Sequence, residues 1–467
     1  MTTTINESVD KNVLTKTDKR KIIFLICSVL LFSVMNGTMF MIAVPDVAKS
    51  FALSPSEVSW VVTGYIILYA IGALMYGKLA DIYPLKYLLA FGLSLFAAGS
   101  ILGFFSPPNY IMVVIARMIQ ATGASSIVAT VFIIPSRYFP KERGKVLGIV
   151  SSTMAFASGI GPVIGGFITG VLNWQYLFLI SALVLITIPP FFWKWMPDEK
   201  KKEGKVDILG AAIIAIAVAT LLLFITMVIW WYIIVSIVFF SLFAWRIFHS
   251  KNPFINPEMF GNAPYRTTVL TAFLAIMAMF GMMFMLPLML SEVNELNALY
   301  IGLVLFPGAM AAAFTGRVAG TLTEKQGSKK VVFIAFGLMM TGFFLISTLI
   351  GSPAWILGAV IIISYIAFPF IQTATANLIS DVLSQSEIGV GMGIYNLFNF
   401  MAGAFGGAVI GKILDYNSTF TINPLAVAQN HATIYSNVFA GLVILTLLNG
   451  GAFFYFSFKR KGSEYLQ

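Results

Sequence analysis

Charged side chains are scarce in this 467-residue chain: Asp, Glu, Lys and Arg supply 10% of it against 59% hydrophobic residues, and the mean hydropathy is +0.90. A soluble globule cannot bury that much apolar surface, so a water-soluble enzyme is excluded. Cysteine occurs once, at Cys27 in the first apolar run, which rules out intramolecular disulfides and any paired-cysteine metal or redox site. Only two histidines are present, His249 near a helix end and His431 in a loop, and they argue against a histidine-built metal or proton site. The chain also lacks a Gly-rich phosphate loop ending in Lys-Ser/Thr, paired carboxylates at catalytic reach, and a nucleophile with a histidine partner. Neither catalysis nor a bound cofactor is therefore expected. Nor is there a long polar interval between Ile22 and Phe458, which leaves no room for a globular domain.

What is present is a succession of apolar windows bounded by charge, Pro or Gly. They predict fourteen spanning helices at 22–44, 58–78, 87–105, 110–136, 144–170, 175–195, 207–228, 230–247, 267–290, 300–321, 331–351, 354–377, 388–412 and 434–457. Between 207 and 247 the only break is a turn near Trp230 and Trp231. The basic stretch before the first apolar run resembles a signal peptide, but a run of more than about 20 residues is too long for one and reads as a retained first helix. With the N-terminus inside, 26 of the 29 Lys and Arg fall on the cytoplasmic side, Lys49 and Lys412 fall outside, and Arg117 lies within a helix. The net charge of +10 is thus a matter of topology, and nucleic acid is not expected as a partner. Residues 1–21 and 459–467 read as cytoplasmic tails, 22–197 and 251–458 as six-helix bundles, and 198–250 as a linker with two extra helices. The linker opens on Asp198 to Lys205, the most linker-like stretch, which follows the sixth span.

An internal repeat supports two bundles. Gly77-Lys78-Leu79-Ala80-Asp81, followed by Lys86, and Gly320-Thr321-Leu322-Thr323-Glu324, followed by Lys329, stand 243 residues apart after the second and tenth spans. Duplicated bundles with an inserted pair would give that spacing. Gly77, Asp81 and Lys86, with Gly320, Glu324 and Lys329, suit a conformational latch that closes in one state and breaks in another, though a plain solvated turn would also satisfy the pattern.

These residues, with others along the chain, resemble the fourteen-helix drug exporter branch of the major facilitator superfamily, most closely the class K and L tetracycline exporters. The likeness covers roughly 33–411. Gly77 to Lys86 is similar to family motif A, with Ile82, Tyr83 and Pro84 departing from it. Arg117 to Ala124 is similar to motif B, with Ala121 in place of a usual Gly. Gly159-Ile160-Gly161-Pro162-Val163-Ile164-Gly165-Gly166 resembles the antiporter motif C. Asn173 to Tyr176, Asn252 to Pro257 and Gly389 to Gly411 resemble further branch signatures. The resemblance implies an all-α polytopic fold of two six-helix bundles plus an inserted pair, in the inner membrane with both termini cytoplasmic, acting as a monomer on small amphiphiles.

Arg117 is the only ionisable residue placed in mid-span, which makes it a functional candidate by default. A structural Arg satisfied by backbone carbonyls is the competing reading. None of the nineteen acids falls in mid-membrane. The resemblance places acids of the tetracycline exporters at Gly37, Ser158 and Gly403, and an Asp of the wider branch at Asn36; all four are neutral here. Proton coupling is therefore left open. Asn36, Gln120, Ser158, Gln372, Asn377, Asn396 and Asn399 lie on helices that the resemblance assigns to the central cavity, where they would suit neutral or anionic amphiphiles. In the motif C stretch, Gly159, Gly161, Gly165 and Gly166 offer small surfaces on one helix face and Pro162 removes a backbone donor. The Met277 to Met285 run is adaptable apolar surface, suited to a cavity or to lipid. The expected activity is export of amphipathic, drug-like or tetracycline-like molecules by alternating access. A proton-independent lipid or metabolite facilitator and a non-transporting sensor are the alternatives.

Overall fold

Hydrocarbon cannot satisfy backbone N–H and C=O groups, so a chain this apolar must close its hydrogen bonds within each segment. The computed structural model describes residues 16–80, 82–106, 109–139, 142–187, 196–197, 199, 207–250, 257–384, 388–416, 420–428 and 432–458, and every regular element among them is helical. Helix α1 spans Lys16–Phe51 and carries Pro45 inside it, so it outruns its predicted span at both ends. A short α2, Pro55–Val58, is held by a capping box between Ser54 and Glu57 and leads into α3, Trp60–Ala80. Helix α4 is Leu85–Phe104, and α5, Tyr110–Tyr138, starts where the Asn109 side chain accepts from the N–H groups of Ile111 and Met112. Helix α6 is Arg143–Val171, and α7 is Tyr176–Ala182, continued as a 3₁₀ turn over Leu183–Thr187.

The two helices that the sequence reading takes for an inserted pair are α8, Ile208–Met227, and α9, Trp230–His249; the break between them is Val228 in left-handed conformation at φ 55°. There follow α10 (Ala263–Glu292), α11 (Ala298–Gln326), α12 (Ser328–Leu349), α13 (Ala354–Val382), α14 (Ile388–Leu414) and α15 (Ala432–Phe458). Gly327, at φ 86°, makes the sharp turn between α11 and α12 that a side chain would strain.

Among the described residues, twelve helices are long and apolar enough to cross a membrane. The predicted spans 144–170 and 175–195 fall on α6, whose apolar part over Phe156–Val171 is shorter, and on Tyr176–Thr187, beyond which 188–195 lie outside the described residues.

Packing divides the helices into two bundles. In the first, α4 and α3 lie against α5, α1 against α6, and α7 against α4; in the second, α13 lies against α11 and α12, and α10 and α12 against α14 and α15 respectively. Two seams join them, α6 with α11 and α3 with α14. One end of the bundles, the basic end, collects Arg137, Arg246, Lys325 and Lys329; opposite it lies the far end. Met279, Met282 and Met285 of α10 are fully buried, so most of the methionine run is core.

Candidate functional site

The first bundle closes around Arg117, which is 1% exposed. Its Nη1 donates to Asn36 Oδ1 at 2.6 Å and to Gln120 Oε1 at 2.9 Å, and its Nε to the Val61 carbonyl at 3.3 Å. Gln120 Nε2 in turn donates to Ser100 Oγ at 2.7 Å, and Asn36 Nδ2 to Ser181 Oγ at 2.6 Å. Five helices, α1, α3, α4, α5 and α7, thus share one polar chain. The guanidinium is sandwiched between the Phe40 and Tyr65 rings, with Cζ 4.0 and 4.1 Å from their centroids. The ion pairs found among the described residues lie elsewhere and include no carboxylate on Arg117. The charge is offset by ring faces and neutral oxygens alone.

Sequence reasoning brought Asn36, Arg117 and Gln120 to the same region, and the structure bonds them to one another. It missed Ser100, Ser181, Phe40 and Tyr65. The stack continues outward from Tyr65: Tyr69 lies parallel to it with centroids 5.8 Å apart, and Phe400 of the second bundle meets Tyr69 edge-on at 5.0 Å.

The second bundle has a smaller polar core. Tyr395 Oη and Thr375 Oγ1 are 2.7 Å apart, and Tyr395 also donates to the Gln372 carbonyl at 3.2 Å. Asn399 is buried close to Tyr395, and among the described residues neither of its amide atoms meets a partner at ordinary hydrogen-bond geometry. The side chains of Gln372 and Asn396 are exposed, and Asn377 is half-buried. Ser158, also half-buried, donates back to the Met154 carbonyl of its own helix.

Motif C packs on two sides, whereas the sequence reading placed its glycines on one face. A Cβ at Gly165 would lie 2.8 Å from Met39 Cα and its carbonyl oxygen on α1, and one at Gly161 would strike Thr38. A Cβ at Gly166 would lie 2.5 Å from the Ala298 carbonyl oxygen of α11, and one at Gly159 would lie 2.6 Å from Met310 Sδ. The reason is geometric: at about 100° per residue, residues 161 and 165 point one way and 159 and 166 the other. Pro162 joins the second contact, its carbonyl 2.5 Å from where a Cβ of Gly302 would stand. The far-end half of the α6–α11 seam is therefore backbone against backbone.

At the basic end, a Cβ at Gly77 or Gly320 meets no described atom within 4 Å. Asp81 lies outside the described residues. Lys86 is buried with its ammonium 5.3 Å from the Tyr87 ring centroid, Glu324 is exposed, and Lys329 donates to the Ser457 carbonyl at 3.0 Å. What braces the first copy is Arg137, which donates to the Ala80 carbonyl at 3.0 Å and pairs with Glu199 at 3.1 Å. Glu199 also accepts from the Leu85 N–H at the start of α4, and with burial it pushes the Tyr138 phenol up. Sequence reasoning counted Arg137 only as a topological charge; its position immediately after the predicted span 110–136 was the available signal.

The family model described as Major Facilitator Superfamily matches residues 26–407, and the chain belongs to that superfamily: it is a transporter, not an enzyme. Among curated relatives, the Riboflavin transporter RibZ of Clostridioides difficile (strain 630) is 27% identical over 446 residues, 91% of this chain and 96% of that protein. The Lincomycin resistance protein LmrB of Listeria monocytogenes serovar 1/2a is 26% identical over 391 residues, 80% of this chain and 82% of that one. Among solved structures, a bacterial homolog of the human lysosomal transporter Spinster, inward-facing and unoccupied, superposes with TM-score 0.67 at 14% identity, covering 94% of this chain and 97% of the other. A point mutant of the nucleoside transporter NupG does so with TM-score 0.65 at 13% identity, covering 93% and 98%.

Proposed function

Taking the chain as a transporter of that superfamily, we propose that it is a fourteen-helix, monomeric exporter of amphipathic small molecules, of the drug-efflux kind and close to the tetracycline exporters, working by alternating access in the cytoplasmic membrane. In this reading α6 and α7 complete the fourteen spans, the basic end is cytoplasmic and carries both termini, and α8 with α9 form the insertion between the bundles of 22–197 and 251–458. The observation that carries the reading is the asymmetry of the seam between α6 and α11. The contacts run from Gly170 with Leu299 at the far end to Gly159 with Met310 near mid-helix, while at the basic end a Cβ on Gly320 of α11, like one on Gly77 of the neighbouring α3, meets no described atom within 4 Å. A bundle pair closed at one end and parted at the other is one half of a transport cycle.

Asn36, Arg117, Gln120 and Ser158 on one side, and Gln372, Asn377, Asn396 and Asn399 on the other, are the proposed cargo contacts. Gly77, Asp81, Lys86, Gly320, Glu324 and Lys329 are the proposed latch, and Gly159, Gly161, Pro162, Gly165 and Gly166 the fulcrum. The relatives named for riboflavin and lincomycin support a polar, ring-bearing cargo. Everted vesicles test this with a panel of tetracycline, lincomycin and riboflavin: accumulation of at least one above vesicles lacking the protein is expected, and accumulation of none counts against export.

A second reading, a facilitator that uses no proton gradient, is favoured by one observation: Arg117 has no carboxylate partner among the described residues. Collapsing the pH gradient in the same vesicles separates the two, since a proton-coupled exporter then stops and a facilitator does not.

A further inference from the structure

A guanidinium offers five N–H groups and no acceptor. In Arg117, Nε uses its one on the Val61 carbonyl and Nη1 its two on Asn36 and Gln120, so the two on Nη2 meet no acceptor among the described residues. The Tyr65 ring rests on the guanidinium, and its hydroxyl, on a residue 6% exposed, is likewise without a partner. The oxygens of Asn36 and Gln120 are already engaged by Nη1. What this stack has left over is therefore led by donors, the two N–H groups of Nη2 and the Tyr65 hydroxyl, held on a fixed positive charge that no carboxylate among the described residues neutralises.

We propose that Arg117 Nη2 and Tyr65 Oη bind an anionic oxygen group of the cargo, a carboxylate, sulfonate or enolate, and that export of this anion is driven by the membrane potential. The proposal rests on the export reading and narrows it. A buried cation with spare donors favours an anion and repels a cation, while a neutral acceptor gains the hydrogen bonds without the charge. Tyr69 and Phe400 roof the site across the α3–α14 seam, so parting of those helices uncovers it. Because the cytoplasm is electrically negative, an anion leaves down the potential, and no acid has to carry protons. The neutral side chains at Asn36, Gly37, Ser158 and Gly403 then need no substitute.

The test uses purified protein in liposomes with two dyes of one scaffold: 1-anilinonaphthalene-8-sulfonate, anionic at every working pH, and uncharged N-phenyl-1-naphthylamine. With a potential set by valinomycin and a potassium gradient, the sulfonate should concentrate on the positive side toward a limit of roughly fiftyfold, the equivalent of about 100 mV acting on one charge. Buffering the two sides at equal pH or one unit apart, with the potassium gradient unchanged, should make no difference. Tyr65→Phe keeps the ring stack and should weaken sulfonate binding about tenfold while leaving the uncharged dye unaffected; Arg117→Lys should retain more transport than Arg117→Gln. Equal loss of both dyes in Tyr65→Phe would reduce these residues to a structural role and overturn the assignment. Movement of the uncharged dye alone, indifferent to potential, would overturn it too but leave export standing. If neither dye moves, the anion assignment falls, and the vesicle panel decides separately whether export does.

Discussion

The two seams between the bundles are built from different materials. Along the far-end half of α6 and α11 the contact is main chain on main chain, Gly166 against Ala298 and Gly302 against Pro162. Along α3 and α14 it is mostly side chains: Leu74 against Gly393, Tyr69 against Phe400, and Thr63 donating to the Ala404 carbonyl at 3.3 Å. Beyond its far tip, where Gly411 approaches Pro55 of α2 and the Ser56 N–H donates to Asp415, the contact includes backbone on both sides. Interlocked backbones have few alternative arrangements, whereas rotamers have several. The first seam is thus suited to serve as the pivot and the second to slide and re-form during the cycle.

Filling the rigid seam should do the most damage. Gly166→Val puts branched carbon onto the Ala298 carbonyl, and an overpacking cost of about 1 to 3 kcal/mol is expected. Read as a transport rate, that is a fall of roughly fivefold to 150-fold, with the protein still recovered from the membrane. Normal transport by this variant would show that the seam is not tight. Next comes the basic end: Asp81→Asn should reduce transport about tenfold while cargo affinity holds, because a latch governs exchange between states and not the site itself. Equal loss of both, by vesicle flux and ligand titration, would contradict that division.

Phe400→Ala removes one edge-on ring contact, worth roughly 0.5–1.5 kcal/mol, and should slow the cycle by no more than about tenfold. Smallest is Thr63→Val, a single interhelical hydrogen bond of about 0.6 kcal/mol, so at most a threefold change. Gly407→Ala, whose Cβ would stand 3.1 Å from the rotatable Thr63 hydroxyl, should likewise be near normal, in contrast to Gly166→Ala. Should the two alanines behave alike, the distinction between the seams fails.

Much of the architecture was legible because the bilayer imposes length on helices and places charge at their ends. The breaks at Val228 and Gly327 fall within or beside the predicted gaps. Which faces meet was not legible. Residues Trp60 to Ile67 of α3 are buried without interruption, since helices press on it from several sides, and a uniformly apolar helix has no polar face to orient it. Motif C shows the same limit: the sequence says that its glycines permit close approach, but not that two neighbours approach at once. The partners of Arg117 divide similarly. Gln120 lies one turn away on the same helix, where spacing reveals it, while Ser100, Ser181 and Phe40 arrive from other helices and leave no pattern in the chain.

The inserted pair has a consequence for the route of cargo. Helix α8 touches both α3 and α14; Trp60 Nε1 donates to Thr226 at 3.2 Å near one end, and at the other Asp207 holds Arg246 at 2.7 Å while its charge bears on Lys78. On the proposed reading, a plank fastened along that crevice would cover it against the lipid, and cargo dissolved in the adjoining leaflet would have to slip in on the opposite flank, beneath α6 and α11, which makes the entrance one-sided.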